Sequence, residues 1–264
     1  MPSMRTFRPA RRTRHLLLVA TLAAVIVAAL AGPPLGQPQA YHAFADGRAW
    51  SGIPNALDVL SSLAFLGVGL LGLRFVARGA RSPAFAEPGE ALPYAVLFAA
   101  TALAGLGSAY YHVAPDDARL AWDRLPMAAA FMALLAATLG ERIDRRLGRT
   151  ALLPLTVAGL ASVGYWRWGL AAGGGDLAPY VAVQFGGLLL ILETALLYPS
   201  RYTRGGAVWL AGLLYAVAKL AEAQDRAIFL LTGFVSGHTL KHLLAAAAVY
   251  VLLHALARRS PVGA

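Results

Sequence analysis

The sequence predicts an all-α integral membrane protein, with a seven-helix transmembrane core and one extra N-terminal helix, eight spans in all. Three observations carry this. Of the 264 residues, 58% are hydrophobic and only 14% charged, where a soluble domain carries about 25% charged residues. The apolar residues fall in eight continuous runs rather than alternating, which excludes strands of an outer-membrane barrel. The arginines sit in short clusters between those runs, which is how membrane topology is encoded.

The runs cover roughly 15–32, 55–77, 91–112, 121–140, 150–166, 178–198, 205–222 and 234–257. Each is near the ~20 residues a helix needs to cross the hydrocarbon core. In the first, the basic stretch RPARRTRH precedes LLLVATLAAVIVAALAG, a pattern shared with signal peptides, with ALA as a cleavage site. The apolar run is long for a signal peptide, so an uncleaved anchor over residues 1–32 is expected. Cleavage would leave seven spans with the same orientations. A loop rich in Pro and Gly at 33–54 leads to the second run, which opens at Asn55 and Asp58. The third run ends in GSAYYH and the fourth begins with AWDRLPM. The fifth and sixth are joined by the flexible turn GGGD. The seventh ends at Lys219 and Glu222, and the eighth opens with SGHTLKH. No internal repeat is seen. Residues 33–258 read as one core and 259–264 as a short tail.

The net charge of +10 comes from 21 arginines and two lysines against 13 carboxylates. Counting arginines in alternate connecting segments places sixteen on one side and five on the other. The bias predicts cytoplasmic termini. It is compatible with a bacterial inner membrane. Placed this way, the charge reflects topology, and nucleic-acid binding is not expected. Cys is absent, which excludes disulfides, thiolate metal sites and a Cys nucleophile. Any metal must use His, carboxylate or carbonyl ligands.

The same orientation locates the polar residues of the spans. Asp58, His112, Asp123, Lys219, Glu222, Asp225, His238, Lys241 and His242 all fall at the outer ends of their runs, and Glu193 is the main exception. Ionisable groups in lipid are costly and face a cavity or one another. Gathered at one depth from five helices, these predict one polar site in the outer leaflet. His238 and His242 are four apart and share a helical face, as do Ser108 and His112. Three imidazoles from two helices suit a three-histidine zinc site with an open fourth position. The alternative is a set of interhelical hydrogen-bonding residues. His15 in the basic N-terminus, His42 in a loop and His254 near the inner end of its run carry no such reading. There is no HExxH, because Thr239 follows His238, so a helper carboxylate must come from elsewhere. Asp123 is the best-placed general base, and Ser108 is a donor toward a developing oxyanion. Lys219 with Glu222 and Asp225 reads as a buried ion-pair network that locks helices, or as an accessory group in substrate or proton handling. Lys241 is expected to point away from the histidines and snorkel to the interface.

The blocks GSAYYH (107–112), WDRLPM (122–127) and SGHTLKH (236–242), after IPNALDVLSSL (53–63), run in one order over about 46–257. This pattern resembles the superfamily joining alkaline ceramidases with progestin and adiponectin receptors and related membrane hydrolases. GSAYYH and WDRLPM are most similar to the ceramidase branch. The resemblance implies zinc held by His112, His238 and His242, with Ser108 assisting and Asp123 handling protons. It implies hydrolysis of an amide in a lipid such as ceramide, a zinc-activated water attacking the carbonyl and Asp123 passing a proton to the leaving amine. It also implies a calcium site before the first core helix, for which Asp46, Asn55 and Asp58 are the candidate ligands. The alternative there is that Asp46 pairs with Arg48 and Asn55 caps a helix. Competing readings are a lipid receptor or sensor with a structural zinc, and a transporter with a His/Asp/Lys relay. Short segments flank the core and no inverted repeat or midplane cluster is seen, which favours an enzyme acting on a membrane lipid. No obligate protein partner is evident.

Overall fold

Helices run back and forth across the molecule so that every second helix end meets at one face, called here the site end. The computed structural model describes residues 9–79 and 84–263. Arg5, Arg8 and Arg81, counted above for topology, lie outside them. The elements are α1 (Arg11–Ala31), α2 (Ala56–Gly79), α3 (Ala91–Val113), α4 (Asp117–Arg142), α5 (Arg145–Ala171), α6 (Ala178–Leu197), α7 (Ala207–Ala223), the short α8 (Asp225–Thr232) and α9 (Gly237–Ala257). A π turn over Ala182–Gly186 interrupts α6. Among the described residues, seven helices are long and apolar enough to cross a membrane, α1 included and α7 not. The 17 residues of α7 extend about 26 Å, the lower limit for a span.

The helices α2 to α5 pack each on the next, α9 closes the bundle between α2 and α7, and α6 lies on α4. The extra helix α1 buries no residue and rests against α6. Leucines such as Leu70, Leu103, Leu153 and Leu213 are exposed on the outside of the bundle, which is unfavourable in water and expected in lipid. Exposed Trp50, Trp122, Trp168 and Tyr165 ring the site end, and Trp209 and Tyr250 lie toward the other. Aromatic residues at both interfaces are typical of membrane-spanning bundles.

The expected spans match the helices, and the differences are at polar ends. α4 and α5 begin several residues before their apolar runs because acidic side chains cap them: Asp116 accepts from Arg119 N at 2.6 Å and Asp144 from Leu147 N at 2.9 Å. The segment after Ala223 forms α8, too short to show in the apolar pattern. Residues 259–263, read as a tail, are docked. Arg259 is buried, donates to Glu141 at 2.7 Å and Tyr94 Oη at 2.9 Å, and stacks 4.0 Å from the Tyr202 ring.

Candidate metal centre and its cavity

The first turn of α9 is held by three local devices. Ser236 caps it, accepting from Thr239 N at 3.0 Å. Gly237 allows the helix to start against the end of α7, since a Cβ there would lie 2.0 Å from the Ala221 carbonyl oxygen. Asp225 accepts from His238 N at 2.7 Å and from Ala45 N at 2.9 Å. Asp225 is thus a clamp joining the 33–55 loop, α8 and α9. It does not join Lys219 and Glu222, as the ion-pair reading expected.

His238 and His242 project from this turn toward His112 at the end of α3. All three are buried, with His112 fully inaccessible. His112 Nε2 lies 3.3 Å from His242 Nε2 and 3.3 Å from His238 Nε2. Nitrogens around a tetrahedral zinc, with Zn–N near 2.0–2.1 Å, sit about 3.3 Å apart. Three ring nitrogens converging in this way cannot all be satisfied by N–H···N bonds among themselves, whereas one central cation satisfies all three. The donor set therefore fits a metal ion. Among the described residues this is the one group of three or more metal-capable side chains.

The surroundings orient the rings. His242 Nδ1 is 2.9 Å from Ser61 Oγ, whose hydroxyl donates to the Asp58 carbonyl at 3.2 Å. With Nε2 facing the metal position, Nδ1 carries the proton and donates to Ser61, the usual support of a ligating histidine. The Asp58 carboxylate accepts from Thr239 Oγ1 at 2.6 Å, tying α2 to α9. Asn55 donates to the His112 carbonyl at 2.8 Å. The Phe44 ring covers the cluster, 4.6 Å from the His112 ring and 4.5 Å from that of His238.

Ser108 and Asp123 meet through a close helix contact. Pro126 has no N–H, so the Trp122 carbonyl one turn earlier loses its helical partner. That oxygen faces Gly107, where a Cβ would lie 2.2 Å from it. The backbones of α3 and α4 therefore touch beside Ser108 and Asp123, both buried. Ser62 donates to Ser108 Oγ at 3.1 Å, and Ser108 and Asp123 both line the cavity wall. A hydroxyl, a carboxylate and a three-imidazole cluster share one site.

Lys241 corrects an expectation. It points inward, with Nζ 2.9 Å from His238 Nε2 and 3.0 Å from Glu222. Glu222 also pairs with Lys219 and accepts from Tyr41 Oη at 3.2 Å. A polar partner at this distance outweighs snorkelling, and α7, which packs against α9, carries that partner. A metal at His238 has to displace Lys241 and then shares the site with its charge. We expect Lys241→Met to tighten zinc binding by about tenfold, as removal of a nearby like charge should. A competition titration with a chromophoric chelator measures it, and equal or weaker affinity would contradict the account.

The three calcium candidates have other partners. Arg48 donates to the two Asp46 oxygens at 2.7 and 2.8 Å, and these hydrogen bonds hold the Asp46 carboxyl below the usual range. Asn55 engages His112, and Asp58 engages Thr239, its second oxygen lacking a partner. The histidines read as bland stay apart from the cluster. His42 lies between Tyr111 Oη at 2.8 Å and Asp117 at 3.1 Å, and His15 and His254 contact Tyr198 and Arg258.

A cavity of about 290 Å³ adjoins the cluster. Its site-end wall holds Ser108, Asp123, His242 and Lys241, and it runs past Ala245 and Val249 to Leu252. From His242 to Leu252 along α9 is about 15 Å. Beyond the first turn its walls are apolar apart from Thr101, Gln184 and Tyr215, with Leu97, Phe131 and Ile191 among them. Gln184, in the π turn of α6, donates to Tyr215 Oη of α7 at 2.5 Å. Sequence reasoning missed Ser61, Phe44, Tyr41 and Arg124 as parts of this site. The pair Ser61–Ser62, spaced one turn from Asp58 in an otherwise apolar run, was the available signal. No protein-family model matches the chain, and no match was found among curated proteins.

Proposed function

We propose that the protein is a zinc-dependent membrane hydrolase that cleaves the amide bond of a lipid, of the kind the ceramidase resemblance implies. The observation that carries this reading is the three-imidazole cluster, whose His242 lines a largely apolar cavity together with Ser108 and Asp123. His112, His238 and His242 hold the ion, Ser61 and Phe44 fixing their rings. When bound, zinc supplies Lewis acidity that polarises a carbonyl and activates water at neutral pH. Asp123 is placed to take a proton from the attacking water and pass it to the leaving amine. Ser108, steadied by Ser62, donates to oxygen as negative charge develops there. The apolar walls take the acyl chain and keep bulk water from the reacting amide. A proton relay has no need of such a cavity, which favours the hydrolase over the transporter reading. The arginine bias supports cytoplasmic termini and a site facing the outer leaflet, and is compatible with a bacterial inner membrane.

The test is release of free fatty acid from long-chain N-acyl lipids, ceramide included, by zinc-loaded protein in detergent. Zinc-dependent release from at least one of them is expected. Zinc-loaded, folded protein that releases fatty acid from none contradicts the reading.

A further inference from the structure

One buried cation in the cavity has no role in the chemistry just described. Arg124 follows Asp123 on α4 and is 7% exposed. Its guanidinium is packed among three rings, with Cζ 4.6 Å from the Trp166 centroid, 5.1 Å from Tyr180 and 5.6 Å from Tyr41. Nη2 donates to Gln37 at 2.6 Å, but Nη1 is buried with no partner. A buried charged donor left unpaired is expensive, and its retention calls for an acceptor. Among the described residues no carboxylate forms an ion pair with it. Glu222, also on the cavity wall, is taken by Lys219, Lys241 and Tyr41. The cavity wall thus holds three basic side chains, Arg124, Lys219 and Lys241, against two carboxylates, Asp123 and Glu222. A bound zinc adds to the positive excess.

We propose that Arg124 is the headgroup-recognition residue of the site, and that the substrate's amine portion carries an anionic group, a carboxylate or a phosphate. The assignment rests on reading the cavity as a lipid amide site. The acyl chain lies toward Leu252, the amide at the histidines, and the acidic group at the Arg124 guanidinium, with Lys219 adding charge at the mouth. The aromatic packing fixes the guanidinium plane, so little side-chain freedom is lost when an acid is bound. A neutral headgroup leaves Nη1 unpaired, and discrimination arises from that cost.

The experiment compares binding of N-palmitoylglycine with N-palmitoylethanolamine, which share chain and amide and differ in carboxylate against hydroxyl. The phosphate ester of N-palmitoylethanolamine separates the two anions. Equilibrium binding is followed by tryptophan fluorescence in detergent, on zinc-loaded and on chelator-treated wild-type protein. The anionic ligand is expected to bind about tenfold tighter in both preparations, the scale of one charge-assisted hydrogen bond. Preference for the carboxylate alone identifies an amino-acid headgroup, and preference for the phosphate alone a phosphorylated one. Arg124→Gln should erase the preference, the anionic ligands falling to the affinity that the same variant shows for the ethanolamide. The more exposed Lys219→Gln should reduce it by about threefold and serves if Arg124→Gln does not fold. Equal affinities in the wild type, or a preference lost on chelation, overturn the proposal. Because binding is read, the result stands apart from the fatty-acid release that tests the hydrolase reading, and the two failures are distinguishable.

Discussion

Asp123→Asn lowers turnover by about 10²–10⁴-fold, the usual contribution of a positioned acid–base group, and leaves the metal bound. In free energy this is about 3–5 kcal/mol of barrier. The two halves have separate causes. Asp123 contributes no nitrogen to the cluster, so the ion's ligands remain. Asn keeps the shape of the side chain, and the α3–α4 contact at Gly107 and Trp122 is made by backbone, so it is undisturbed. Only the capacity to take and return a proton is removed. Steady-state release of fatty acid, alongside metal content of the same preparation, measures both. Full activity in Asp123→Asn would show that the proton moves through another group.

His112→Ala, and likewise His238→Ala, abolishes turnover and weakens zinc binding by more than about 100-fold, the upper range for losing even a group that supports a ligand. His112 is the only ligand from α3, and without it two nitrogens of one helix turn remain. The structural consequence is smaller. His112 Nδ1 has no partner, so truncation breaks no hydrogen bond from that atom, and Asn55 donates to the backbone carbonyl, which stays. His242→Ala differs, because it also frees Ser61, and it should lower thermal stability more than His112→Ala. Zinc affinity and melting temperature, taken together on each variant, separate ligation from packing.

Much of this site was legible because membrane helices make polar residues conspicuous. In a run such as SGHTLKHLLAAAAVYVLL, imidazoles stand out against lipid, and a four-residue spacing fixes their common face. Depth within each run then brought His112, Asp123 and His238 together without a contact map. What escaped notice depended on rotamers and loops. Phe44 covers the histidines from an irregular segment whose path no periodicity encodes. Lys241 turned inward because Glu222 waits on α7, a partner nineteen residues away. Asp225 seemed a third member of that network, yet two backbone amides claim it. Arg124 was counted as a topological charge, and only the packing of Trp166, Tyr180 and Tyr41 around it shows otherwise. Helix ends shifted where Asp116 and Asp144 capped them, a local effect that an apolar count does not register.

The central claim is that His112, His238 and His242 hold a metal ion. Elemental analysis of detergent-purified protein tests it most directly, with the wild type beside a His238→Ala/His242→Ala double variant, both after zinc is added back and excess removed. The account predicts about one zinc per wild-type chain and none in the variant. Folded wild-type protein that retains no metal would contradict it, and so would a variant that retains as much as the wild type.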